Sequence, residues 1–190
     1  MPLRTRLRAP RLRSFGSGFS WGLALLGLVF LGPRESQAQI FKAVDNEPAF
    51  LAIGLGAFDA LDDKTAGQLH FEYRSNLRLW IFKPHGGIFV TTDGAVYGYA
   101  GFRVDVFLGR RWVLSPSTAI GIFEEGSGRD LGSALEFRSG VELAYRFDDR
   151  SRLSAGLFHL SNASIGTRNP GEESVMLFYA LPIDRFLKHW

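Results

Sequence analysis

The chain contains no cysteine, which excludes a disulfide scaffold, a zinc–thiolate centre and a cysteine nucleophile. It has no apolar run long enough to cross a bilayer as a helix, which takes about 20 residues. The clearest run, Trp21 to Leu31, falls well short of that. After residue 40 no helical hydrophobic period of useful length appears. Disorder is excluded as well, because 46% of the residues are hydrophobic and 14% aromatic. At 190 residues the chain is expected to form one domain.

A charge surplus of one sign is also missing once the front of the chain is set aside. The formal net charge of +3 invites a nucleic-acid reading. Residues 1–38, however, hold six basic side chains (Arg4, Arg6, Arg8, Arg11, Arg13 and Arg34) against the single acidic Glu35. The remainder carries 16 basic and 18 acidic residues, a net of −2. Nucleic acid is therefore not an expected partner. The basic front, the apolar stretch and Ser36-Gln37-Ala38 before Gln39 are the parts of a secretory signal peptide. The expected organisation is a signal peptide over 1–38 and one domain over 39–190. A secreted chain without cysteine fits a bacterial envelope protein.

What the rest of the sequence holds is alternation. From Leu135 to Phe147, the residues Leu135, Phe137, Val141, Leu143, Tyr145 and Phe147 fall on one face, with Ser139 as the exception. Glu136, Arg138, Glu142 and Arg146 fall on the other. Period two of this kind marks a strand with one apolar and one charged face. Leu69, Phe71 and Tyr73 against Glu72 and Arg74 repeat it, as do Val96, Ala100 and Phe102 against Arg103 and Asp105. Eight such runs can be drawn, over 49–58, 67–74, 78–90, 95–107, 111–122, 134–147, 152–161 and 174–183. Runs of about ten residues in that number predict an eight-stranded antiparallel transmembrane β-barrel of the outer membrane. In this reading the eight charged side chains named above, from Glu72 to Arg146, pair inside a narrow lumen. Alternation alone cannot tell inside from outside, and a lipocalin-like soluble barrel is the alternative.

Connection lengths bear on that choice. Short turns are expected at Ser75–Leu77, Leu108–Arg110 and Asp148–Ser151, and longer outer loops at Asp59–Ala66, Phe123–Ser133 and Asn162–Glu173, with Thr91–Gly94 ambiguous. Short periplasmic turns facing longer outer loops are the pattern of a bacterial outer-membrane barrel. The aromatic C-terminal residue, Trp190, fits the same class. Gly86-Gly87 suggests a bulge in the third strand, since no helix follows.

The chemistry concentrates near the end of the chain. His159 and Ser161 are two apart on the seventh run and share a face with Leu153, Ala155 and Leu157, so both should look toward lipid. Glu173 opens the eighth run with the parity of Val175 and Leu177, again the apolar face, whereas Glu172 should face inward. The two runs are antiparallel neighbours, which lets His159, Ser161 and Glu173 converge outside the barrel. A hydroxyl, an imidazole and a carboxylate are the set needed for acyl transfer. An ionisable imidazole facing lipid otherwise lacks a reason to be there. His70 reads as a luminal hydrogen-bonding residue, and His85 and His189 show no partner spacing. No zinc or calcium spacing is present, so no metal and no cofactor are expected.

The segment His159-Leu-Ser-Asn-Ala-Ser, followed by Asn169, Gly171 and Glu173-Ser, resembles the active-site stretch of the lipid A 3-O-deacylases, the PagL-type outer-membrane enzymes. The resemblance implies a hydrolase that removes the ester-linked acyl chain at position 3 of lipid A. It implies Ser161 as nucleophile, His159 as general base and Glu173 as the residue orienting it. Asn169 matches a loop asparagine of the oxyanion hole, and a backbone amide near Ser164 would supply the second donor. Ser164 stands where the family often has glycine, and Asn162 takes a supporting role. Arg168, beside the site, is a candidate contact for substrate phosphates. The expected partners are lipopolysaccharide and the surrounding outer-membrane lipids of a Gram-negative bacterium, and a homodimer is compatible with the reading. A non-catalytic small barrel and a phospholipid esterase of the same fold are the alternatives.

Overall fold

The computed structural model describes residues 47–61, 64–166 and 168–183. The expected signal peptide over 1–38, and His189 and Trp190, lie outside the described residues. The strands are β1 (Phe50–Phe58), β2 (Ala66–Arg74), β3 (Lys83–Thr91), β4 (Val96–Arg103), β5 (Val106–Leu108), β6 (Trp112–Glu124), β7 (Leu135–Arg146), β8 (Arg152–Ser161) and β9 (Glu172–Pro182). Among the described residues there is no helix. Every neighbouring pair is antiparallel, and β1 pairs with β9 along its length. β4 and β5 lie against β6 in one continuous register, Arg103 opposite Ser117 and Val106 opposite Leu114. The nine strands therefore make eight walls, and the pairing of β4 with β6 closes the sheet on itself. Closure removes both open edges, a condition for backbone placed in hydrocarbon.

The exposure pattern answers what alternation left open. Leu55, Leu157 and Leu177 on the outward rows are 60–64% exposed, whereas Arg152, Glu142 and His70 inside are 0–3% exposed. A water-soluble barrel would reverse this arrangement, so the wall is built for lipid. The lumen is filled by ions that satisfy one another. Arg74 donates two parallel hydrogen bonds to Glu142, both 2.8 Å, and one of 2.6 Å to Glu72. Arg103 spans Glu72 and Asp105, and Arg152 spans Asp105 and Glu47. The fork of arginine suits such two-pronged contacts. Breaking one leaves a buried charge uncompensated at a cost of about 3–5 kcal/mol.

Four expectations differ from the structure. β3 begins at Lys83, not 78. Leu79 and Phe82 close a tight turn through mutual backbone hydrogen bonds, with Trp80 in the left-handed region at φ 63°. The apolar residues there are exposed at the end of the barrel, where aromatic rings suit a membrane interface, and their hydrophobicity was not that of a strand. The connection after β2 is correspondingly longer than Ser75–Leu77. No bulge forms at Gly86-Gly87, because the register of β3 runs unbroken on both sides. A Cβ on Gly87 would lie 2.5 Å from the Phe71 carbonyl and 2.9 Å from the Tyr99 hydroxyl, so glycine leaves room for the Tyr99–Glu72 hydrogen bond. Finally, not all luminal charges pair as expected. Arg146 bonds Glu47, Arg138 lies 3.6 Å over the Phe158 ring, and the Glu136 carboxylate is buried with no hydrogen-bond partner among the described residues.

Candidate active site

β8 and β9 meet at the end of the barrel that carries the loops 59–65, 92–95, 125–134 and 162–171. His159 and Glu173 are direct register partners there. Cross-strand partners hold their Cβ atoms about 4.5–5.5 Å apart, which brings imidazole and carboxylate into contact. The distance from His159 Nδ1 to Glu173 Oε1 is 3.2 Å. The backbone carbonyl of Glu173 accepts a hydrogen bond of 2.8 Å from the Ala60 amide, which ties the start of β9 to the loop after β1. His159 and Glu173 are part exposed on the outward face, and Ser161 stands two residues further along β8 on that same face. Among the described residues no hydrogen bond joins the Ser161 hydroxyl to the ring. Glu172 points into the lumen, where it accepts hydrogen bonds from the Asp59 amide and the Ser174 hydroxyl.

The loop after Ser161 is shaped by Asn162. The Asn162 carbonyl accepts from the Ile165 amide at 3.0 Å, with Ala163 at φ 52° and Ser164 at φ 65° between them. Two successive left-handed residues make a type I′ turn, a conformation that favours Asn-Gly. With Ala and Ser in those places the turn carries about 1–2 kcal/mol of strain per residue. The Asn162 side chain, fully buried, offsets this. Its Oδ1 accepts from the Ser164 amide at 2.9 Å, and its Nδ2 donates to the carbonyls of Leu131 and Arg168, both at 2.8 Å. Its backbone amide donates to Asn169 Oδ1 at 3.0 Å, which leaves the Asn169 Nδ2 end as a donor. The Ser164 amide is thus committed to Asn162, unlike the free donor expected near it, since one N–H serves one acceptor well.

Two further contacts lock this loop to the one between β6 and β7. A Cβ on Gly166 would stand 2.2 Å from the Gly132 carbonyl, so the two backbones touch where both residues are glycine. Arg168 forms an ion pair with Asp130. Its guanidinium, helped by the Gly132 amide, holds the Asp130 carboxyl below the usual carboxylate range. Gly171 stands in the motif at the end of the chain, which assigns it no role. It sits at φ 68° with its absent Cβ only 2.8 Å from His159 Cε1, so it forms the floor on which the imidazole rests.

A hydroxyl, an imidazole paired with a carboxylate and a side-chain amide thus lie within one loop and two strand ends. A family model described as lipid A 3-O-deacylase (PagL) matches residues 57–182 of the chain. Among solved structures the chain is similar to the crystal structure of the outer membrane enzyme PagL, with 19% identity and a TM-score of 0.57, over 70% of this chain and 99% of that one. It is also similar to a de novo designed transmembrane β-barrel, with 7% identity and a TM-score of 0.51, over 71% and 96%. At these identities the solved structures speak for the fold. No curated protein matches the chain.

Proposed function

Because the chain belongs to the lipid A 3-O-deacylase (PagL) family, and is an outer-membrane barrel, we propose that it hydrolyses the ester-linked acyl chain at position 3 of lipid A from within the outer leaflet. The observation that carries this reading is the His159–Glu173 contact of 3.2 Å on the lipid-facing wall, two residues from Ser161. An ionisable pair has no structural use on that surface, whereas an amphiphilic ester reaches it by lateral diffusion.

In this mechanism Ser161 Oγ attacks the ester carbonyl while His159 Nε2 takes its proton. Glu173 accepts from Nδ1–H, which fixes the tautomer and supports the imidazolium. Charge developing on the carbonyl oxygen is met by Asn169 Nδ2, whose other amide end is anchored on the Asn162 backbone. Such a donor contributes on the order of 3 kcal/mol to the barrier. The imidazolium returns its proton to the departing sugar oxygen, leaving an acyl-serine. A water, deprotonated by His159, then attacks the acyl-serine and releases the fatty acid. Arg168 pairs with Asp130 at the loop surface, and in this reading its guanidinium exchanges that carboxylate for a substrate phosphate.

The test is mass spectrometry of lipid A from cells making the wild-type chain or Ser161→Ala. The expected result is loss of one acyl chain with the wild type alone. Unaltered lipid A with both would refute the enzyme reading. Release from phospholipid vesicles in place of lipid A would move the substrate to phospholipid.

A further inference from the structure

The ladder between β1 and β9 ends at Ala57 opposite Val175, so Glu173 lies two residues beyond the last pair on that side. There it is held by a turn. Asp59 takes the left-handed conformation at φ 53°, which aspartate tolerates better than most residues. The turn sends two successive amides back to β9. The Asp59 amide donates to Glu172 Oε2 at 3.1 Å, and the Ala60 amide donates to the Glu173 carbonyl at 2.8 Å. The turn is itself anchored. The Asp59 side chain is buried, and its Oδ1 accepts from Arg129 Nη1 at 2.7 Å. Arg129 belongs to the loop that enters β7, three strands from β1 around the sheet.

The next three residues of that loop hold the other half of the site. Asp130 pairs with Arg168, the Leu131 carbonyl accepts from Asn162 Nδ2 at 2.8 Å, and Gly132 meets Gly166. The Asn162 amide in turn fixes Asn169. One short run, 129–132, therefore grips the carboxylate's strand through Asp59 and the oxyanion loop directly. These contacts reach from loop to loop, so strand register does not set them. Burying a carboxylate is costly unless it is paired, and neither closure of the sheet nor its register calls for one at this place.

We infer that Asp59 is a positioning residue, whose ion pair with Arg129 fixes the backbone of Glu173 relative to the loop that holds Asn169. This rests on the esterase reading given above. Asp59 touches no reacting atom and acts through the Ala60 amide. A side chain that only stabilised the fold would change how much protein folds. A positioning one changes the turnover of folded protein, and only while the Glu173 carboxylate is there to be placed.

The experiment measures kcat and KM on purified lipid A with the full-length protein in detergent micelles, per folded molecule counted by far-UV circular dichroism. Asp59→Gly keeps the left-handed turn and both amides and removes the anchor. It should lower kcat by about tenfold to 100-fold, the range of a misplacement of up to about 1 Å, with KM within about twofold. Arg129→Ala removes the same contact with residue 59 intact and should match it. Arg129→Lys, which keeps the cation, should recover most of the turnover. In a Glu173→Ala background Asp59→Gly should cost no more than about threefold, because Asp130, Leu131 and Gly132 keep their hold on the oxyanion loop. A loss in that background as large as in the wild type marks a merely structural role and overturns the inference. Wild-type kcat in Asp59→Gly or Arg129→Ala overturns it too, and the esterase reading stands in each case. A wild type that leaves lipid A uncleaved overturns both.

Discussion

Replacing Gly171 by alanine separates the geometry of the imidazole from the stability of the barrel. Gly171 is at φ 68°, where an L residue costs about 1–2 kcal/mol. The added Cβ would also lie 2.8 Å from His159 Cε1 and 3.4 Å from the Leu160 carbonyl. Carbon atoms in contact prefer about 3.5–4.0 Å, so the ring must move by roughly 1 Å. That motion carries Nδ1 away from Glu173, and a displacement of about 1 Å costs on the order of 100-fold in rate. Gly109→Ala is the matched control. It too is left-handed, at φ 72°, but has nothing within 4 Å of its would-be Cβ and lies in the turn before β6, at the opposite end. Both variants should unfold in urea with similar losses of about 1–2 kcal/mol, while only Gly171→Ala loses turnover, by about 100-fold. If Gly171→Ala keeps activity within about threefold, or Gly109→Ala loses as much, Gly171 is not the floor of the site.

Asn162→Ala removes two donors and an acceptor from the buried loop junction, at about 1 kcal/mol each. The 162–171 loop should become sensitive to limited proteolysis and turnover should fall; an unchanged digestion pattern would count against Asn162 as the tie. Ser164→Gly relieves about 1–2 kcal/mol of left-handed strain, less a glycine entropy cost of about 0.5–1 kcal/mol, and keeps the amide that donates to Asn162. It should raise the urea midpoint slightly and preserve activity, whereas a lower midpoint would refute the strained turn. Arg74→Met leaves Glu72 and Glu142 to share Arg103 as their remaining arginine and should destabilise the barrel by up to about 3–5 kcal/mol. Turnover at a permissive temperature should survive it, because Arg74 lies inside the wall and the candidate triad outside; loss of turnover in folded protein would link lumen and site.

How much was legible beforehand depended on whether the feature was periodic or positional. β8 appears with the bounds that alternation predicts, and β7 within a residue at either end, because their two faces differ sharply in polarity. The Leu79–Phe82 turn was read as strand, since its hydrophobicity serves a membrane interface and not a sheet face. At the site, parity alone put His159, Ser161 and Glu173 on one face, and adjacency of the last two strands put them at one end.

The sequence by itself determined the period, the number of walls and the faces, because the side-chain repeat of a strand is two and one face of each strand is predominantly apolar. It also brought His159 and Glu173 together, since antiparallel neighbours joined by one loop have little freedom of register. Only the tertiary structure decided which face looks outward, because closure of β4 on β6 turns one face of every strand into a lumen. It alone showed that Asp59 pairs with Arg129, that Asn162 ties two loops, and that the Ser164 amide is already engaged. Those relations join residues 20 or more positions apart, or turn on one dihedral angle, and no local pattern encodes either.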